Sequence, residues 1–257
     1  MCVIVISPKA SNRPTLETLK ACEASNRDGG GVAWLENGKP TYRKGVDAEF
    51  IHDIMNLVSG PVVAHFRIAT VGGVKPVLCH PFPISPSPSQ ALQGQHHALL
   101  FHNGTWSSWE GTLNAVAKRH NIQLKGEFSD SRASALVASI AGLESLNKMG
   151  GKFCVIKSDG AWMFNVGFTN HEGNWYSNMW WQSRLKEKSK HYASYHRSSL
   201  FDEASDFLQE QGRLSRQAER HLEATPNMRN SNIRRMVERK EGLLSLRQTL
   251  DKLEDSK

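Results

Sequence analysis

The chain opens Met1-Cys2-Val3-Ile4-Val5-Ile6, and the reading of this stretch governs the rest. Val3 to Ile6 are all β-branched, stiff at χ1 and suited to a buried strand. A side chain as small as that of Cys2 permits removal of Met1. The expectation is therefore a cysteine at the N-terminus itself, holding a nucleophile and a base in one residue. Its thiol is the weak acid, and a free α-amino group titrating near ~8 is basic enough to take the thiol proton at neutral pH. The plainer reading makes Cys2 a small hydrophobe at a strand edge.

Size and composition bound the answer. With 257 residues the chain can bury one substantial core, or one domain plus an appendage. Hydrophobic content of 39% and charged content of 22% describe an ordinary globular protein. No apolar run approaches the roughly 20 residues that span a bilayer. Pro8, Lys9 and Asn12 end the first apolar run too soon for a signal peptide, so a cytoplasmic location is expected. Cys2, Cys22, Cys79 and Cys154 form no C-x-x-C pair, which argues against a zinc ribbon and fits a reducing compartment. A net charge of +7 permits attraction to nucleic acid or acidic partners without requiring it.

Outward from the first strand, helical spacing is expected within Ser11–Ser25, with Thr15 as cap. Gly29-Gly30-Gly31 is read as the end of a loop whose glycines allow close backbone approach or positive φ, then come a strand at Val32–Leu35, a turn at Glu36–Lys39 and a return strand at Thr41–Arg43. Ala48–Val58 reads as an amphipathic helix with Phe50, Ile54, Leu57 and Val58 on one face. Strands follow at Val62–Arg67 and Ala98–Phe101, separated by a proline- and serine-rich loop from Pro76 to Pro88. Helices are expected at Gly111–His120 and Ser131–Leu146, and a hairpin at Lys152–Ser158 and Ala161–Phe168 around Asp159-Gly160. Abundant hairpins point to an α+β domain with largely antiparallel sheets, ending near Trp181.

From Arg184 onward the chain is charged, and its apolar residues recur at helical spacing on either side of Pro226. Packing of such helices on the domain, on each other or on a partner is favoured over nucleic-acid binding. The expected division is a domain over residues 2–183 and a charged helical extension over 184–257.

Several stretches could join Cys2. Arg67 at a strand end offers a planar, permanently charged fork that suits a carboxylate, and otherwise a surface ion pair. Asn103-Gly104 at a strand exit could supply a side-chain amide and a backbone N–H to developing negative charge, or be an ordinary turn. Asp130 could cap a helix or bind an ammonium group. The group His80, His96, His97, His102 and Cys79 fits no common zinc spacing, and no metal or cofactor is expected. Ser85-Pro86-Ser87-Pro88-Ser89 could be a mobile lid.

Taken in order, Cys2, Asp28-Gly29-Gly30-Gly31, Arg67-Ile68-Ala69-Thr70-Val71-Gly72, His80-Pro81-Phe82, His102-Asn103-Gly104 and Ser129-Asp130-Ser131 resemble the motifs of the class II glutamine amidotransferases, which are N-terminal-nucleophile hydrolases. The match covers about residues 2–140. That resemblance implies a four-layer αββα sandwich of two antiparallel sheets. It implies attack by Cys2 on the glutamine side-chain amide, with Asn103 and Gly104 as the oxyanion hole. Arg67 and the backbone at Thr70 would hold the substrate carboxylate, and Asp130 its ammonium group. A thioester on Cys2 would then be hydrolysed to release glutamate.

The chain departs from the family pattern in places. Ser25 and Asn26 stand where many members carry an arginine-glycine pair, leaving Asn26 as the candidate support for the N-terminus. Arg27 precedes Asp28 where related stand-alone members have proline, and Thr105-Trp106 follow Gly104 where an aliphatic residue is commoner. The roughly 75-residue tail is too short and too helical for a synthase domain, so the resemblance implies a stand-alone glutaminase-type domain or, slightly favoured, the ammonia-producing subunit of a two-protein enzyme whose separate ammonia-accepting synthase docks on the helical tail. Two other readings stand beside this one: an N-terminal-cysteine amidohydrolase acting on another γ-glutamyl or acyl amide, and a catalytically idle binding module. The intact set of Cys2, Arg67, Asn103 and Asp130 weighs against the last.

Overall fold

The computed structural model describes residues 2–70, 73–165 and 167–185; the expected extension over 184–257 lies, except for its first two residues, outside them. Within them lie eleven strands and four α-helices. In chain order these are β1 Val3–Ser7, α1 Leu16–Ser25, β2 Gly30–Glu36, β3 Lys39–Val46, α2 Ala48–Leu57, β4 Val62–Phe66, β5 Phe82–Pro83, β6 Gln93–Gln95, β7 Ala98–Asn103, α3 Trp109–Arg119, α4 Asp130–Ala141, β8 Lys152–Lys157, β9 Gly160–Phe164, β10 Thr169–His171 and β11 Asn174–Tyr176. They form an antiparallel sheet in the order β10-β11-β1-β4-β2-β3-β6 and a second in the order β5-β7-β8-β9. The α+β class and the antiparallel sheets are as expected from the hairpin-rich pattern.

Three apolar cores hold these elements. Val3, Val5, Val32, Val62 and Ala64 of the large sheet pack against Leu19, Cys22, Ile51 and Met55 of α1 and α2. Ile4, Ile6, Ala33 and Val63, from the alternate positions of the same strands, meet Leu99, Phe101, Cys154 and Ile156 of the small sheet. Leu100, Phe153 and Val155, the remaining face of the small sheet, bury Leu113 of α3 with Ala133, Leu136 and Val137 of α4. The period-two alternation of β1 thus serves two cores at once, and every residue from Val3 to Ser7 is buried. No described helix is long and apolar enough to cross a membrane.

Several boundaries move. Helix α1 starts at Leu16, where Thr15 accepts the Thr18 N–H at 3.2 Å; a short 3-10 turn occupies Ala10–Asn12. In α2 the fully buried residues are Ala48, Ile51 and Met55; of the expected face, Phe50, Ile54 and Val58 pack partly buried at the edge of the same core and only Leu57, 79% exposed, points away, so the centre of the inward face is rotated from the one expected. The cause lies at its start: Asp47 caps the helix by accepting the Phe50 N–H at 2.8 Å, and Ala48, the first residue, faces the sheet. Helix α4 stops at Ala141 because Gly142 adopts φ 84°, and a 3-10 turn carries the chain from Leu143 to Lys148. Strands β5, β6, β10 and β11 have no counterpart in the sequence expectation, β5 lying within the expected Pro76–Pro88 loop; at two or three residues each they are too short to show a period.

Gly30 and Gly31 belong to β2 rather than to a loop. A side chain at Gly31 would sit 3.0 Å from the His80 carbonyl carbon and closer still to its oxygen, so the glycine lets the His80 backbone cross the strand. The run is there for close approach.

Candidate active site

Cys2 immediately precedes β1, which lies between β4 and β11 inside the large sheet. Because Val3 pairs with Phe66, the antiparallel register brings the residues after β4 beside Cys2. The Ile68 N–H points to the Cys2 sulfur at 3.3 Å, and the thiol donates to the Ile68 carbonyl at 3.4 Å. Burial pushes the thiol up from its ordinary value; the Ile68 amide and the charge of Arg67 oppose that shift. At neutral pH the resting sulfur is therefore a thiol, and it needs a base to become a nucleophile.

Arg67 is placed by the same sheet. Its N–H donates to the Gly29 carbonyl at 2.8 Å, and its carbonyl accepts the Asp28 N–H at 2.9 Å, continuing the β2–β4 ladder past Gly30 and Phe66. The Asp28 carboxylate accepts the Ala69 N–H at 2.7 Å and so sets the turn that follows Arg67. The acidic motif thus acts by shaping the Arg67–Thr70 segment. The guanidinium is buried, and its Nη1 donates to the Gly73 carbonyl at 2.9 Å.

Across the cavity stands Asp130. Its expected helix start is correct, but the cap is Ser129, whose hydroxyl accepts the Arg132 N–H at 3.3 Å; Asp130 is the first helical residue. Its Oδ2 accepts the Trp106 N–H at 3.0 Å, and its Oδ1 accepts the Ser131 N–H at 2.9 Å. Two amide donors and the positive end of α4 thus meet at this side chain.

His102 bridges strand and helix. Its Nε2 lies 2.9 Å from the Gly150 carbonyl and must carry the proton, so Nδ1, 3.0 Å from the Ser131 hydroxyl, is the acceptor. Burial lowers its pKa and the nearby Asp130 opposes this. His65 and His80 pack ring to ring with centroids 3.9 Å apart. Burial brings His65 down to about 3 and drives His80 well below its ordinary value, so both are neutral. Neither ring nitrogen of His80 has a partner among the described residues. His96 and His97 pair with each other, centroids 4.1 Å apart, away from this group.

One cavity gathers Cys2, Arg67, Thr70, His80, His102, Gly104 and Asp130. Its volume is about 20 Å³, room for one water. A thiol, a guanidinium and a carboxylate thus share one small, largely buried space. Gly104 adopts φ +146°, and a side chain there would meet the Gly151 Cα at 2.5 Å. Thr70 reaches the hydroxyl of Thr105 at 3.5 Å.

Asn103 lies over the rim. It lines an adjacent cavity of about 430 Å³ with Gly104, Lys152, Ser177, Asn178 and Trp180. Its Nδ2 is 2.8 Å from the Ser177 hydroxyl oxygen. Asn26 does not reach either cavity: it ends α1, and its Nδ2 donates to the Cys22 carbonyl at 2.8 Å. The contacts on Cys2 come instead from Ile68 and from Asn178, whose Nδ2 donates to the Cys2 carbonyl at 2.6 Å. Ser177 and Asn178 carried no sequence signal, because they sit just past the unanticipated strand β11. The Ser85–Ser89 loop lines neither cavity, and its Pro88 carbonyl accepts two bonds from Arg132 at 2.9 and 2.7 Å.

No family model matches the chain, and no curated protein matches it. Among solved structures it is similar to glutamine phosphoribosylpyrophosphate amidotransferase from B. subtilis complexed with ADP and GMP, at 17% identity and a TM-score of 0.47, covering 68% of this chain and 41% of that one. It is also similar to the allosteric regulatory enzyme of purine biosynthesis, at 21% identity and a TM-score of 0.45, covering 62% and 36%. The chain therefore spans less than half the length of either, and the functional reading rests on the cavity itself.

Proposed function

We propose that the chain hydrolyses the side-chain amide of glutamine to glutamate and ammonia through a thioester on Cys2. The observation that carries this reading is the shared cavity: a buried thiol facing the same space as a guanidinium and a carboxylate. A positive and a negative group bordering the same cavity as a nucleophile match the carboxylate and ammonium of a free α-amino acid, and a glutamine within a peptide lacks both. The order of the three cores, helices on sheet on sheet on helices, is in keeping with the four-layer αββα arrangement that the motifs imply.

The chemistry follows from the groups present. With Met1 removed, the α-amine of Cys2 takes the thiol proton and the thiolate attacks the amide carbon of glutamine. Negative charge develops on the amide oxygen, where the Gly104 N–H and the Asn103 amide stabilise it. As the tetrahedral species collapses, the proton held by the α-amine passes to the leaving nitrogen and ammonia departs. Water, deprotonated by the same amine, then attacks the thioester; glutamate leaves and the thiol is restored. For glutamine to enter, Arg67 exchanges its bond to the Gly73 carbonyl for the substrate carboxylate, and the cavity widens. The ammonia passes to an acceptor enzyme, for which residues 184–257 are the proposed docking element.

The test is release of glutamate and ammonia from glutamine by protein whose intact mass shows that Met1 is absent. Cys2→Ala and a form carrying one extra residue ahead of Cys2 are expected to be inactive, the first lacking the nucleophile and the second the base. A Met1-free wild type that releases neither product overturns the reading; release from another γ-glutamyl amide in place of glutamine would reassign the substrate.

A further inference from the structure

We infer that Ser177 is a positioning residue that holds the Asn103 amide with its NH2 group toward the reacting oxygen. The inference deepens the proposed function, since it rests on Asn103 acting as an oxyanion donor. The Ser177 hydroxyl oxygen already accepts the Ile4 N–H at 2.8 Å. It lies 2.8 Å from Asn103 Nδ2, and with that amide orientation it accepts a second time. The Ser177 O–H then has no acceptor, and the buried Asn103 Oδ1 has no partner among the described residues. Three hydrogen-bonding positions are wasted: the hydroxyl proton, the carbonyl oxygen and the second N–H of the amide.

Turning the amide by half a revolution exchanges two atoms of nearly equal size and pairs the hydroxyl proton with the carbonyl oxygen. The Ser177 O–H donates to Oδ1 at the same separation while its oxygen keeps the Ile4 N–H. The groups left without partners are then both N–H bonds of Nδ2, a pair of donors beside Gly104, which borders the Cys2 cavity. A buried NH2 group with no protein acceptor is costly unless something negative arrives there. The developing oxyanion is that partner. Ser177 is itself locked: its N–H donates to the Ile4 carbonyl at 3.0 Å, and the next residue, Asn178, grips the Cys2 carbonyl. One dipeptide thus indexes the oxyanion donor to the strand that bears the nucleophile.

Two measurements test this. In isotope-labelled protein, the Asn103 NH2 protons, assigned with Asn103→Asp, should show weak or absent cross-relaxation to the Ser177 β-protons; strong cross-relaxation places Nδ2 against Ser177 and overturns the inference whatever the protein's activity. In kinetics with Met1-free enzyme, Ser177→Ala should lower kcat about tenfold to a hundredfold, less than the full loss of an oxyanion donor, with KM within about threefold. Ser177→Ala combined with Asn103→Ala should fall no further than Asn103→Ala alone. Independent, multiplying losses overturn the inference. A wild type inactive on glutamine overturns the proposed function, and the amide orientation is then decided by the first measurement.

Discussion

Gly31→Ala probes the link between fold and site. Gly31 lies in β2 between two ladder partners, Lys44 on β3 and His65 on β4, so its backbone cannot retreat without breaking pairs on both sides. An added methyl meets backbone on the third side, 3.0 Å from the His80 carbonyl carbon and nearer to the oxygen, with the Arg43 carbonyl oxygen at 3.3 Å. No flexible side chain is available to yield. Overpacking costs about 1–3 kcal/mol where neighbours can adjust and more where they cannot, so a loss of about 3 kcal/mol is expected. At about 2–4 °C per kcal/mol for a domain of this size, the melting temperature should fall by about 6–12 °C. Thermal unfolding followed by circular dichroism measures it. Gly111→Ala is the control of opposite sign: it lies in α3 with nothing within 4 Å of the added methyl, and should gain about 0.5–1 kcal/mol. A Gly31→Ala protein melting within about 2 °C of wild type would refute the close-approach account of the glycine run.

Two further outcomes are expected. Lys44 is buried over the Phe82 ring, with Nζ 4.2 Å from its centroid and Cys79 and Arg132 nearby, and burial pulls its pKa from 10.5 to about 7. Between those values the unfolded chain holds a proton that the folded chain has released, so the Lys44 contribution to stability rises with pH across that window. The melting-temperature advantage of Lys44→Met over wild type should therefore shrink as pH goes from about 7 to about 9.5, and a constant difference sinks the idea. On the glutaminase reading, Arg67→Lys keeps the charge but loses the fork, and should raise KM for glutamine at least about tenfold while changing kcat less; an unchanged KM in steady-state kinetics would remove Arg67 from substrate binding.

Much was legible along the chain because the signals are local. The β-branched run after Cys2, the Thr15 cap and the Asn37-Gly38 turn are each decided by neighbours a few residues apart and fall where expected, while the second hairpin turns one residue early, at Ser158-Asp159, with Gly160 already in β9. The centre of the inward face of α2 lies at Ala48, Ile51 and Met55, beside Phe50, Ile54 and Val58, because helical spacing allows more than one apolar stripe and the sheet beneath chooses between them. Gly29, at φ +116°, lies in the expected loop, but Gly30 and Gly31 belong to β2, and which segment approaches them closely, the His80 backbone at Gly31, is written elsewhere in the chain.

The site divides in the same way. Cys2, Arg67, Thr70, Gly104 and Asp130 could be named in advance, since a nucleophile, a fork, a turn and a helix start each have a recognisable residue type. That they border one cavity depends on register, with β1 against β4 carrying Arg67 to Cys2, and on α4 entering from the far side. Asn26 was assigned by order along the chain and lies elsewhere, whereas Ser177 and Asn178, some 175 positions from Cys2, hold its strand. The sequence alone determined the kinds of chemical group present and most of the strands and helices, because those follow from side-chain type and short-range spacing. Tertiary structure alone decided which groups meet and in which orientation, because pairing across a sheet joins residues whose separation along the chain carries no trace of their contact.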